Sequence, residues 1–198
     1  GFLFGALRNV LAAGVLAVTI AGGQSFALAD DRTAGPVLAL AAGADGGLFL
    51  KSDEAGLFRS TDEGKTWQQL PLQLADGASL TSVVAASGNA GVYYAAGPEV
   101  RLVVSRDGRD TWASVEGDLP GTDIAALAAH STQPDTRYAY LPESGIYRSK
   151  DAGGTWKLMD KGPEGINQLI HTGMAGSMET GWLYAATNLG VRISMDCF

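Results

Sequence analysis

The sequence is poor in most residues that carry recognisable chemistry. Its single cysteine is Cys197, which excludes an intrachain disulfide and any cysteine-based metal cluster. Only two histidines occur, and they do not complete a usual metal-ligand set. No phosphate-cradling G-x-x-x-x-G-K-[ST] loop and no G-x-S-x-G elbow are present, so nothing points to a cofactor. Basic residues are scarce as well: 14 Lys and Arg face 21 Asp and Glu, for a formal charge of −7. Nucleic acid is therefore not the expected partner, because phosphate binding needs clustered cations. Aromatic residues make up 8% and charged residues 18%, whereas there are 27 glycines among 198 residues. That balance favours many short elements joined by tight turns over long helices.

The one long apolar run is N-terminal. Arg8 precedes a nearly uncharged stretch, Val10 to Ala29, and Ala27-Leu28-Ala29 supplies a small-x-small cleavage pattern ahead of Asp30-Asp31. Residues 1–29 are expected to form a signal peptide or a retained signal-anchor, a transmembrane helix of about 30 Å. We read it as a retained anchor, followed by a linker at 30–36 and a folded region at 37–198. On that reading the folded region lies in the periplasm or on an equivalent lumenal or extracellular side.

The folded region repeats. Ser60-Thr61-Asp62-Glu63-Gly64-Lys65-Thr66-Trp67 recurs as Ser105-Arg106-Asp107-Gly108-Arg109-Asp110-Thr111-Trp112 and as Ser149-Lys150-Asp151-Ala152-Gly153-Gly154-Thr155-Trp156. Ser194-Met195-Asp196 opens a fourth copy. The serines are 45, 44 and 45 residues apart, a period that fits four strands and neither a helical hairpin nor a single β-hairpin. Each period begins with a short apolar run suited to an innermost strand buried on both faces: Val37–Ala42, Leu80–Ala86, Ile124–Ala129 and Ile166–His171. Second strands are expected at Gly47–Leu50, Gly91–Ala96, Arg137–Leu141 and Gly181–Ala186. Third strands run into the octapeptide, and fourth strands start from it at Thr66–Leu70, Thr111–Val115 and Thr155–Met159.

The octapeptide resembles the Asp-box (BNR) repeat, S-x-D-x-G-x-T-W, of sialidases, sortilin-type receptors and photosystem II assembly-factor propellers. The resemblance implies an all-β fold, a β-propeller with blades of about 45 residues, of which about three and a half are present. It also implies structural roles in a hairpin turn for Ser60, Asp62, Gly64, Thr66 and Trp67. The same holds for Ser105, Asp107, Thr111 and Trp112, for Ser149, Asp151, Gly153, Thr155 and Trp156, and for Ser194 and Asp196. A carboxylate can accept turn N–H groups, glycine can take a positive φ, and tryptophan can pack between sheets. In the second copy Gly108 stands one place early and Arg109 occupies the glycine position, so a distorted turn is expected there. An open half-propeller would expose unpaired strand edges. Further sequence beyond Phe198, or another chain, is expected to cover them.

A catalytic set is not evident. Sialidases clamp a carboxylate with three arginines, but Arg59, Arg148 and Arg192 hold nearly equivalent places in their repeats and read as repeat architecture. His130 and His171 each close an innermost strand, near where a propeller channel would open. The acidic pairs Asp53-Glu54 and Asp30-Asp31 read as solvated turns. Met174 and Met178 lie in the long connection His171–Gly181, read as plain surface.

The chain is therefore expected to be a non-catalytic scaffold, assembly factor or accessory subunit of a membrane complex, photosynthetic or respiratory, that binds protein subunits and no small-molecule substrate. A secreted sialidase-like glycoside hydrolase, with its catalytic residues in further blades, is the alternative. The candidate partner-binding face comprises Asp53, Glu54, Glu99, Glu116, Asp118, Glu143 and Glu164, on the side opposite the box turns. The box side mixes acids with Lys65, Arg106, Arg109, Arg137 and Lys150.

Overall fold

Short apolar segments bounded by glycine-containing turns form fifteen strands in a computed structural model, which describes residues 36–43, 48–108, 110–176 and 181–195. The expected helix at 1–29, Arg109 and Asp196 lie outside the described residues. The first sheet contains β1 (Ala39–Ala42), β2 (Phe49–Asp53), β3 (Gly56–Ser60) and β4 (Gln68–Gln69). The second contains β5 (Ser82–Ala85), β6 (Tyr93–Gly97), β7 (Val100–Ser105) and β8 (Ala113–Ser114). The third contains β9 (Ala126–Ala129), β10 (Arg137–Leu141), β11 (Gly145–Ser149) and β12 (Lys157–Asp160), and the last β13 (Ile166–Thr172), β14 (Trp182–Thr187) and β15 (Gly190–Met195).

Every sheet is an antiparallel meander in chain order, and no helix occurs among the described residues. The innermost strands β1, β5, β9 and β13 line one cavity of about 550 Å³. Four blades arranged about a channel are the architecture of a β-propeller.

Because strand side chains alternate, each sheet presents two faces, and in the second and third blades both pack against a neighbour. In the second blade Val83, Tyr93, Ala95 and Val103 pack with Leu50 and Leu57 of the first. Its other face, Tyr94, Ala96, Leu102 and Val104, packs with Leu127 and Ala139 of the third. The seam between the third and fourth blades joins Tyr138, Tyr140 and Ile146 to Leu169 and Leu183. Each buried leucine, isoleucine or valine among them stabilises by roughly 1.5–3 kcal/mol. Polar ties cross the seams too: Ser52 Oγ donates to Leu80 O at 2.6 Å, and Leu127 N donates to Ser82 Oγ at 2.9 Å.

Two expectations are corrected. The innermost strands are not buried on both faces throughout: β1 alternates, leaving Leu40 60% exposed, and β13 leaves Ile170 49% exposed. Both residues belong to the end sheets: Ile170 shares its face with Ile193, 58% exposed, whereas β5 and β9, set between two blades, are mostly buried. The outer strands β4 and β8 are only two residues long and exposed, shorter than the five expected in each. Of the box tryptophans, Trp112, before β8, packs against the first seam, and Trp156, before β12, packs against the second.

Candidate functional site

The box turns are the most regular feature of the molecule. In the first, Ser60 Oγ donates to Asp62 Oδ1 at 2.8 Å and accepts the Gly64 N–H at 2.8 Å. Asp62 Oδ1 also accepts the Thr66 N–H at 2.8 Å, and Oδ2 accepts the Thr66 hydroxyl at 2.6 Å. The third turn repeats this clasp with Ser149, Asp151, Gly153 and Thr155, at distances of 2.7–2.8 Å. These bonds favour the ionised acid. The Thr66 hydroxyl, the Thr66 N–H and the Ser60 hydroxyl hold Asp62 down to about 2, below its ordinary 3.8. The Thr155 N–H, the Thr155 hydroxyl and the Ser149 hydroxyl do the same for Asp151, also about 2.

The second copy keeps the side-chain clasp despite its displaced glycine. Ser105 Oγ donates to Asp107 Oδ1 at 2.9 Å and Thr111 Oγ1 to Oδ2 at 2.7 Å. The backbone gives the reason. Glu63 and Ala152, at the fourth position of their copies, are left-handed with φ of 63° and 61°. Gly108 holds that position with φ of 65°, so the early glycine relieves a strain the other two turns carry. Ser194 lies on β15 opposite Leu183.

The acidic face is less uniform than its sequence suggests. Glu54, Glu99 and Glu143 are exposed in the turns that join the second and third strands of successive blades. Glu116 and Glu164 are exposed as well. Asp53, in contrast, is only 4% exposed; its Oδ1 accepts the Ala55 N–H at 2.8 Å, and Lys51 Nζ lies 4.0 Å from Oδ2. The Asp53 side chain thus closes its own turn and is withdrawn from the rim. Asp118 is exposed but engaged, accepting the Trp156 N–H at 2.7 Å. On the box side, Arg137 is not a surface cation. It is 2% exposed, lies 4.3 Å over the Tyr94 ring, and donates from Nη1 to Thr136 O at 2.8 Å. Burial pushes its pKa below the ordinary arginine value.

The equivalent arginines stand on three different sheets, paired in register with Gln68, Lys157 and Ala185 for Arg59, Arg148 and Arg192. Arg59 Nη1 donates to Gly108 O at 3.0 Å, tying one blade to the next box turn. His130 and His171 are buried and stack on one another, with ring centroids 3.8 Å apart. Their matching positions at the ends of consecutive innermost strands were the signal for this contact. Met174 is exposed, and Met178 lies outside the described residues. Among the described residues, no group of three His, Cys, Asp or Glu could hold a metal ion. No helix among them is long and apolar enough to cross a membrane.

No family model and no curated protein matches the chain. Solved structures do, and they are β-propellers. An ancestral GH74 enzyme is 22% identical over 78% of this chain and 23% of its own, with a TM-score of 0.53. The GH74 xyloglucanase from Xanthomonas campestris is 23% identical over 80% of this chain and 23% of its own, TM-score 0.53. YCF48 bound to D1 peptide is 17% identical over 81% of this chain and 49% of its own, TM-score 0.52. The chain thus spans about half of one neighbour and a quarter of the others. At these identities the likeness is one of fold.

Proposed function

We propose that this chain is a non-catalytic scaffold that docks a protein partner through an acidic rim, as an assembly factor or accessory subunit of a membrane complex. The observation that carries the reading is the placement of Glu54, Glu99 and Glu143. Three successive blades present one exposed carboxylate each from the same turn. Carboxylates spaced along one rim attract a basic surface and speed encounter, an effect that salt weakens as the Debye length falls below about 10 Å. The resemblance of the octapeptides to the Asp-box repeat, and the YCF48 fold seen with a bound peptide, support a protein partner. The apolar N-terminal run supports a membrane-anchored protein with its blades in the periplasm or an equivalent compartment, and a photosynthetic or respiratory complex as the setting.

The test is retention of partners from native membranes by the wild-type chain and by a Glu54→Lys/Glu99→Lys/Glu143→Lys variant. Loss of the co-purifying proteins on reversal, at low salt first, is expected. Equal retention at low and moderate salt would exclude the rim, and recovery of this chain alone would exclude the scaffold.

The GH74 neighbours favour a second reading, a glycoside hydrolase of propeller fold. Release of reducing sugar from xyloglucan, or of sialic acid from a sialoside, would establish it in place of the first.

A further inference from the structure

Three successive backbone N–H groups, of Ser131, Thr132 and Gln133, are satisfied by two imidazole nitrogens. Thr132 N and Gln133 N each donate to His130 Nδ1 at 3.1 Å, and Ser131 N donates to His171 Nδ1 at 2.9 Å. The Ser131 hydroxyl lies 3.0 Å from the same His171 nitrogen. The rings come from different blades and stack at 3.8 Å with 28° between their planes, and Tyr138 stacks on His171 at 5.7 Å. His130 is 1% exposed and His171 7%. An Nδ1 that accepts backbone N–H groups carries no proton, so both rings are neutral Nε2–H tautomers.

We propose that the His130–His171 pair is a proton-operated latch on the seam between the third and fourth blades: closed while both imidazoles are neutral, opened when either takes up a proton. Protonation at Nδ1 sets an N–H against two or three other donors, and a second proton would place two cations in stacked contact. The turn that would open is tied into the rest of the blade. His130 N donates to Thr136 O at 3.0 Å, Arg137 Nη1 donates to the same oxygen, and Ala152 N of the third box turn donates to Asp135 O at 2.8 Å. Releasing residues 131–133 therefore loosens the β9–β10 turn, the box turn beside it and the grip on β13 together.

The sign is set by the Nδ1 bonds, and charged residues also stand on the elements packed around the pair. On the sheet face shared by Tyr138, the third blade carries Arg148 and Lys157 in register with it, and Asp160 opposite Ile146. The facing side of the fourth blade carries Arg192, in register with Ala185. The turn itself contributes Asp135, and Arg137 points to the other face, over Tyr94. Histidine kept neutral by its native bonds stabilises the fold at high pH, and that stabilisation is lost as the pH falls.

The direct measurement is a ¹⁵N NMR titration of both imidazoles and of the Ser131, Thr132 and Gln133 amides in the wild-type chain. Both rings should show Nε2–H at pH 8 and stay neutral to a pH below the ordinary histidine value of about 6.5. Their protonation should then coincide with a shift of the three amides. A ring that protonates at or above that value, or without moving the amides, overturns the proposal. Urea midpoints between pH 8 and pH 5 form the second arm. Asparagine keeps an acceptor near the Nδ1 position and cannot titrate, so a His130→Asn/His171→Asn variant should show a markedly flatter pH dependence than wild type. An equal dependence overturns the latch; if the variant fails to fold, the wild-type titration decides alone.

Discussion

Asp118, in the loop that leaves the second blade, accepts the main-chain N–H of Trp156, the residue just before the last strand of the third, at 2.7 Å across 38 residues of sequence. The neighbouring main chain follows, with Asp118 N donating to Gly154 O at 3.3 Å. One blade's exit therefore caps the next blade's box turn. Asp118→Ala should lower stability by about 1–2 kcal/mol, the loss of one hydrogen bond to an ionised acceptor, measured as a urea midpoint. Reversal to lysine should cost more, which makes Asp118 a poor probe of partner binding and leaves the rim glutamates as the proper one.

Acid should weaken the box turns in a defined window. Asp62 and Asp151 sit at about 2 in the folded chain against an ordinary 3.8. The unfolded chain therefore binds their protons first, and their contribution, complete above about pH 4, is lost as the pH falls towards about 2. An Asp151→Asn variant should be less stable than wild type at neutral pH. Its midpoint should also change less between pH 4 and pH 2, with circular dichroism as the readout.

Opposite signs are expected at two equivalent backbone positions. Ala152 holds φ at 61°, which glycine adopts without strain, so Ala152→Gly should be neutral to stabilising by up to about 1 kcal/mol. Gly108 has φ of 65°, and a Cβ there would stand 2.9 Å from Gly91 Cα. Gly108→Ala should destabilise by about 1–3 kcal/mol. Thermal melts of the two variants, run side by side, check the pair; equal shifts would remove the strain argument.

The buried Arg137 makes a further claim. Its planar guanidinium lies over Tyr94 and reaches Thr136 O, geometry an ammonium cannot reproduce. Arg137→Lys should cost about 1–2 kcal/mol despite keeping the charge. A denaturation midpoint unchanged by this substitution would show that burial of the stem, and not the stacked group, holds the second seam.

Much of this fold could be read from the sequence because its information is local and repeated. The short apolar runs and the Ser-Asp-Thr clasp are each set by residues within eight positions of one another, and three copies at a period of 44 or 45 residues reinforce one signal. Shared backbone geometry is subtler: the left-handed fourth position of the box was hidden because its residues are Glu63, Gly108 and Ala152, with no common side chain.

By itself the amino-acid sequence determined the strands, their order and the turns that join them, since neighbouring strands pair across short connections. Tertiary structure alone decided what faces what. It withdrew Asp53 from the acidic rim, buried Arg137 against Tyr94, bound Asp118 to a turn 38 residues away, and brought His130 and His171 from separate blades into one stack. Those contacts depend on how blades pack side by side, and a pattern within one repeat does not by itself fix which residue of the next it meets.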